Sequence, residues 1–355
     1  MSFEKLASPL LNGFAAAPGM MAGNRKLIGY LRTNWSNDPF SFGSYSHFVK
    51  GTDRSLVTPL AAPVADRIFF AGEAMHPDYN STVHAALESG QRAADALCTY
   101  AAAAQNIAVI GAGVSGLAAA QRLAVSGKSA TLFEARERIG GRVWTNRDLG
   151  PPLELGASWI HGISGNPISA LADAHSIARM ANGKDMSVRG GDGRLILDNL
   201  APDWLDMIAD EQNSLGADPK TLNLDLYDDH DGYEGPDNIL PSGYDNIFAA
   251  LTGDYAVQLS APVDHVRYDA DGVTIRHNGG ISARFDAVII TVPLGVLKQG
   301  GIFFEPPLPA AKQEAIAQMG MGTLDKLYLL FDSVFWDDTT YITTPENALP
   351  RGHFN

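Results

Sequence analysis

Residues 106–145 read NIAVIGAGVSGLAAAQRLAVSGKSATLFEARERIGGRVWT, and the order of residue types along this stretch decides the fold class. Ile107, Val109 and Ile110 predict a short apolar strand. Gly111, Gly113 and Gly116 follow at G-x-G-x-x-G spacing, and residues 117–123 are a run of good helix formers. A nucleotide pyrophosphate demands this order. Gly111 permits the tight turn, Gly113 lets the backbone approach the phosphates, and Gly116 lets helix and strand pack closely. The helix N-terminus then points its free N–H groups at the anion. Residues 130–133 predict a second strand, and Glu134 at its end offers a carboxylate to both ribose hydroxyls and repels a 2′-phosphate. The glycine spacing alone is a weak signal, because glycine turns before helices are common. The strand before it, the helix after it and the closing carboxylate make it a nucleotide-binding unit.

A length of 355 residues suits two intimately connected domains and allows a large core. The formal charge of −14 argues against nucleic acid and an anionic membrane surface as partners, and favours cationic ligands. Cys98 is the only cysteine, so no intrachain disulfide and no Cys-rich metal site is expected, and a reducing compartment is the simplest inference. The N-terminal residues carry too short an apolar run for a signal sequence, and no eighteen-residue apolar segment occurs. The expectation is a soluble, cytoplasmic protein without a metal, of undetermined oligomeric state.

Upstream, residues 9–17 read as a buried strand and residues 26–35 as another, with Asn37, Asp38, Pro39 and Gly43 marking turns before Ser44, Tyr45 and Ser46. In residues 67–90, Ile68, Phe69 and Phe70 predict a buried strand, Gly72 a close backbone approach, and Ser81 or Thr82 the cap of a helix over 83–100. An alanine linker at 101–105 joins that helix to the nucleotide unit. Downstream, residues 177–240 are polar and predict short helices and loops, and residues 261–268 and 285–292 each predict a strand.

Several of these stretches, taken with their neighbours, resemble the flavin-containing amine oxidase family. They are Gly140, Gly141 and Arg142 directly after the ribose carboxylate, W-x-x-D-P-x-x-x-G-S-Y-S at 35–46, F-A-G-E at 70–73, L-E-L-G-A-S-W-I-H-G at 153–162, T-V-P-L-G-V-L-K at 291–298, and residues 321–336. The W-I-H-G form is typical of the polyamine-oxidase branch. The resemblance implies an α/β fold, in which a FAD-binding Rossmann-like parallel sheet of the glutathione-reductase type carries an interleaved α+β substrate domain. It implies FAD as cofactor, a small-molecule amine and O2 as reactants, and oxidation of a polyamine or other primary or secondary amine to an imine. The imine is hydrolysed to the aldehyde and O2 is reduced to H2O2. An L-amino-acid oxidase or another flavin oxidoreductase is the alternative, though no arginine for a substrate carboxylate is evident.

The same resemblance assigns residues. Lys326 takes the position of the lysine that bonds through a water to flavin N5, Tyr45 that of an aromatic wall beside the ring, and His161 that of a histidine facing the substrate amine. Cofactor binding falls to Gly111, Gly113, Gly116, Glu134, Ala135, Arg136, Gly140, Gly141 and Arg142 of the nucleotide unit, and to Gly156, Ala157, Ser158 and Trp159 under the flavin. Val266 supplies a backbone contact to adenine, and Trp35, Gly72, Glu73, Thr82 and Val83 complete the set. Glu73 is expected near a ribityl or phosphate edge, and the helix that Thr82 caps is expected to face the flavin N1 and C2 carbonyl.

The order of the stretches departs from the family, which runs from the glycine motif through a substrate domain to F-A-G-E. Here F-A-G-E comes first. The implied segments are therefore 1–59 for the substrate domain, 60–103 and 104–176 for the FAD-binding domain, 177–240 for the substrate domain, 241–300 for the FAD-binding domain again, and 301–355 for the substrate domain. A circular permutation, with a long family helix absent between Ala17 and Lys26, accounts for this order. The rival account is a catalytically incompetent gene-fusion fragment. Permutation requires residues 60–100 and 106–145 to share one sheet.

Overall fold

The computed structural model describes residues 27–183, 185–189, 195–196, 215–226, 232–334, 336, 338–344 and 352–354. The strand expected over 9–17 and the helix expected to be absent before Lys26 both lie outside the described residues. In chain order, strand β1 (Ile68–Phe70) leads through helix α1 (Val83–Tyr100) to strand β2 (Asn106–Ile110), helix α2 (Val114–Val125) and strand β3 (Ser129–Phe133). Later come β4 (Ala256–Gln258), β5 (Val263–Asp269), β6 (Gly272–His277), β7 (Ile281–Phe285), β8 (Ala287–Ile290), β9 (Phe303–Glu305) and helix α3 (Ala310–Gln318).

Strands β4-β3-β2-β8-β1 form one sheet in that order, with every neighbouring pair parallel. Ile289 of β8 is paired with Val109 on one side and Phe69 on the other, so residues 60–100 and 106–145 do share a sheet. The period of two along β2 divides the core. Ile107 and Val109 face α1 and α2, packing with Leu97 and Leu117. Ala108 and Ile110 face the second sheet, β7-β6-β5-β9, packing with Val266, Ile275 and Phe285. Helix α1 begins where expected, because the Thr82 hydroxyl accepts the Ala85 N–H at 3.1 Å and satisfies a donor that has no partner within the helix.

The chain divides into a larger unit of residues 33–182 and 215–325 and a smaller unit of residues 1–32, 183–214 and 326–355. The parallel sheet and its covering sheet and helices belong to the larger unit. In the smaller unit, the strand Leu27–Arg32 pairs antiparallel with Leu327–Phe331. Three expectations need correction. The strand over 26–35 ends at Arg32, and Trp35 opens a single-turn helix, Trp35–Asn37, because the Asp325 carboxylate accepts both the Thr33 hydroxyl and the Trp35 N–H and turns the chain. Residues 285–292 are not one strand. Phe285 ends β7 and Ala287 starts β8, while Asp286 between them accepts the N–H groups of Gln105 and Asn106. The described parts of 177–240 include strands as well as short helical turns, with Met180–Ala181 paired to Asn238–Ile239 and Met186–Arg189 paired to Leu195–Ile196.

A lysine sits inside the core of the larger unit. Lys312 of α3 is 2 % exposed, donates to the carbonyls of Pro59 at 2.9 Å and Leu60 at 2.6 Å, and holds its ammonium 3.9 Å from the centre of the Phe70 ring. The two carbonyls and the ring face favour the charge; burial opposes it more strongly and lowers the lysine from its ordinary 10.5 to about 7. Between pH 7 and 10.5 the unfolded chain therefore binds more protons at this residue, so its contribution to stability rises with pH across that window and is flat on either side. Urea unfolding midpoints at pH 7 and 9.5 test this. The rise between them should be smaller in Lys312→Met than in the parent, and an equal rise would place the ordinary lysine behaviour in the folded state.

Candidate active site

The glycine turn has the geometry that the residue order called for. Gly111 has φ +106°, in the region that favours glycine, and Gly113 is the N-cap of α2. A Cβ on Gly116 would lie 1.9 Å from the Gly111 carbonyl oxygen, so helix and strand approach to a distance only glycine allows. Glu134 is buried at the end of β3, and its two oxygens accept the N–H groups of Ala112 and Arg136, each at 2.8 Å. Each oxygen keeps a second lone pair, so the carboxylate is oriented by the turn and retains capacity for hydroxyl donors. Gly140 is bridged to Gly113, which brings the double-glycine loop against the turn.

Ser115, unassigned in the sequence reading although it lies inside the glycine motif, is 4 % exposed, and its hydroxyl has no hydrogen-bond partner among the described residues. Buried polar groups are normally paired. An orphaned hydroxyl in the first turn of α2, beside N–H groups that the helix leaves free, fits a phosphate oxygen, and the residues present therefore fit a dinucleotide such as FAD.

Three stretches distant in sequence converge on Glu73. Its carboxylate accepts the Ser46 hydroxyl at 2.6 Å, the Ser46 N–H at 3.3 Å, the Ser81 N–H at 2.8 Å and Arg142 at 2.8 Å. Arg142 donates also to the Ser44 carbonyl at 3.0 Å. Glu73 is thus committed to protein donors and fixes the 44–46, 70–82 and 140–142 segments to one another. Gly72, at φ +136°, exchanges hydrogen bonds with the Ser89 hydroxyl, and Val83 opens α1 behind the Thr82 cap, so the helix N-terminus is anchored on this same hub. A second ion pair, Arg136 bidentate to Asp38 at 2.8 and 2.7 Å, fixes the residues after Ala135 and Glu134 to the turn that follows Trp35.

Trp35 is buried, donates its indole N–H to the Leu155 carbonyl at 3.1 Å and meets Trp144 edge-on at 6.2 Å. Gly156 packs so closely that a Cβ there would lie 1.7 Å from the Arg142 carbonyl oxygen, while Ala157 donates its N–H to that same oxygen. The Ser158 hydroxyl lies 3.4 Å from the Gly156 carbonyl, and the Trp159 carbonyl accepts the Tyr244 hydroxyl. Tyr45 lies in the strand Tyr45–His47, paired with Gly320–Gly322, and burial raises its hydroxyl well above the ordinary tyrosine value. His161 is half-exposed and meets Asp237.

Two assigned residues stand apart. Val266 is fully buried in mid-strand, paired with Ile275 on one side and Phe304 on the other, so its backbone is engaged in ladders. Val263, at the start of β5, is better placed for a ligand, because the β9 ladder begins only at His265 and the adjoining Ala261 N–H bonds the Glu134 carbonyl. Lys326 belongs to the smaller unit, directly before the strand Leu327–Phe331. Among the described residues no helix is long and apolar enough to cross a membrane, and no group of His, Cys, Asp and Glu is arranged to hold a metal ion.

Comparison with known proteins gives the site its context. The chain is 28 % identical over 298 residues to "Probable polyamine oxidase 4" of Arabidopsis thaliana, covering 67 % of this chain and 60 % of that protein. It is 31 % identical over 308 residues to "Lysine-specific histone demethylase 1 homolog 2" of Arabidopsis thaliana, covering 70 % of this chain and 41 % of that protein. It therefore spans about 60 % or less of the length of these two relatives. Among solved structures, cyclohexylamine oxidase from Brevibacterium oxydans IH-35A matches with a TM-score of 0.48 and 23 % identity, covering 60 % of this chain and 63 % of that one. The model of the "Flavin containing amine oxidoreductase" family matches residues 18–98, 114–191 and 197–353, most of the sequence, and the chain belongs to that family.

Proposed function

We propose that the chain binds FAD and oxidises a primary or secondary amine of the polyamine class to an imine, which water converts to the aldehyde while O2 leaves as H2O2. The observation that carries FAD binding is the orphaned Ser115 hydroxyl in the first turn of α2, beside a glycine turn and the buried carboxylate of Glu134, and the family membership supports the amine chemistry. When bound, FAD supplies a two-electron acceptor for the hydride on the carbon next to the amine nitrogen. The chain's own residues then bind and orient. Ser115 and the α2 N–H groups would hold the pyrophosphate, Glu134 the ribose, and the backbone near Val263 the adenine. The N-terminus of α1, capped by Thr82, would hold negative charge on the pyrimidine edge, a helix-end effect of about 0.3–2 kcal/mol. Tyr45 would wall the amine, and His161 would accept a hydrogen bond from it. F-A-G-E stands ahead of the glycine motif, and a circular permutation is the reading we give that order.

Ser115→Ala should lower FAD affinity by about 2- to 12-fold, equivalent to about 0.5–1.5 kcal/mol for one hydrogen bond, with the unfolding midpoint of the flavin-free protein unchanged or slightly raised. Flavin fluorescence titration measures the first and urea denaturation the second. For the activity itself, the flavin absorbance of the FAD-loaded protein should bleach under argon on addition of spermidine, and peroxide should appear when air is admitted. A yellow protein that neither spermidine nor a simple primary amine bleaches would overturn the assignment to amines.

A further inference from the structure

His161 is held by a partner that its own stretch of sequence does not contain. Its Nδ1 lies 3.1 Å from Oδ2 of Asp237, and Oδ1 of the same carboxylate accepts the Gly162 N–H at 3.1 Å. The backbone fixes this pairing. Ile160 and Asn238 exchange N–H···O bonds at 2.8 and 3.0 Å, and the N–H groups of Ile163 and Ser164 both bond the Glu234 carbonyl, so the two segments run as a short antiparallel ladder. Tyr233 anchors the end of that ladder. It stacks on Tyr79 at 5.0 Å, meets His84 edge-on at 5.1 Å and donates its hydroxyl to Glu88, which also pairs with His76 at 3.0 Å. His84, the buried ring close enough to influence His161, is pushed down to about 3 by burial and by His161 and His76, and so presents a neutral neighbour.

A carboxylate only accepts hydrogen bonds, so a neutral His161 bonded to Asp237 carries its proton on Nδ1 and its lone pair on Nε2. Nε2 has no hydrogen-bond partner among the described residues, and the side chain is 52 % exposed. Resting on the amine-oxidation reading above, we propose that Asp237 is a positioning residue that fixes His161 as the Nδ1–H tautomer and leaves Nε2 to accept the N–H of the substrate amine. Asp237→Asn is the informative change. The Gly162 N–H keeps the amide oxygen, which turns the amide NH2 toward His161; Nδ1 must then accept, and the proton moves to Nε2, where it repels the amine N–H.

The test is nitrogen-15 NMR of the FAD-loaded protein with labelled histidine, at a pH where the ring is neutral, with His161 assigned by its absence in His161→Gln. The parent should show Nδ1 protonated and Nε2 bare, and Asp237→Asn the reverse. With spermidine as substrate, Asp237→Asn should lower kcat/KM by at least about tenfold, and the double variant should lose no more than His161→Gln alone. An Nε2-protonated parent, or losses that add in the double variant, would overturn the proposal. The tautomer is read without turnover, so failure of the amine reading and failure of the Asp237 assignment give different results.

Discussion

Replacing Glu73 by alanine should cost the folded protein about 3–5 kcal/mol, the range for breaking a buried ion pair by removing one partner. The size follows from what the substitution strands. The Glu73 side chain is 6 % exposed and Arg142 21 %, so the guanidinium is left mostly out of water with only the Ser44 carbonyl as its remaining acceptor among the described residues. The Ser81 N–H loses its 2.8 Å acceptor, and the Ser46 N–H and hydroxyl lose theirs. Removing the acceptor also frees three segments from one another, including the one that leads into α1, so flavin affinity should fall along with stability. Denaturant midpoints measure the first effect. A loss below about 1 kcal/mol would mean that the hub is solvated and carries no such strain.

The second large effect is expected at Gly116, where the contact is with backbone and cannot be relieved by a rotamer. An added Cβ would lie 1.9 Å from the Gly111 carbonyl oxygen and 3.0 Å from the Thr291 hydroxyl, which itself donates to the carbonyls of Ile110 and Gly111. Gly116→Ala must therefore push α2 away from the end of β2 and move the N–H groups that, on the proposed reading, hold the phosphates. We expect a stability penalty of about 3 kcal/mol, the upper part of the range for overpacking, and a loss of FAD affinity with it. Equilibrium dialysis against FAD measures that loss. Retention of parental affinity would show that the helix N-terminus does not carry the pyrophosphate.

How much of this was legible beforehand depended on the range of the interactions involved. The strand, glycine turn, helix and strand of 106–133 were readable because their signals are local: apolar runs, helix formers and a glycine spacing. Helix Val83–Tyr100 was readable from its Thr82 cap for the same reason. The Glu73 hub was not, because its donors come from residues 46, 81 and 142 and only the fold brings them together. The role of Asp237 was hidden likewise, 76 positions from His161. Trp35 misled the strand reading because the alternation of 26–35 continues past the point where Asp325, far along the chain, turns the backbone. Ser115 could have been found from sequence, since a hydroxyl in the first turn after a G-x-G motif is one that a phosphate can claim. Val266 is placed by its position in a motif, and its pairing on both sides of the strand is a property of the sheet that the motif does not show.

On the proposed reading, residues on both sides of the 101–105 linker build one dinucleotide site. Titration of the purified, flavin-free chain with FAD, followed by absorbance and by a thermal unfolding scan, tests it most directly. One FAD should bind per chain, the protein should stay yellow through gel filtration, and its unfolding midpoint should rise with FAD concentration, as binding to the folded state alone requires. A correctly folded chain that remains colourless after reconstitution, with an unfolding midpoint indifferent to FAD, would contradict it.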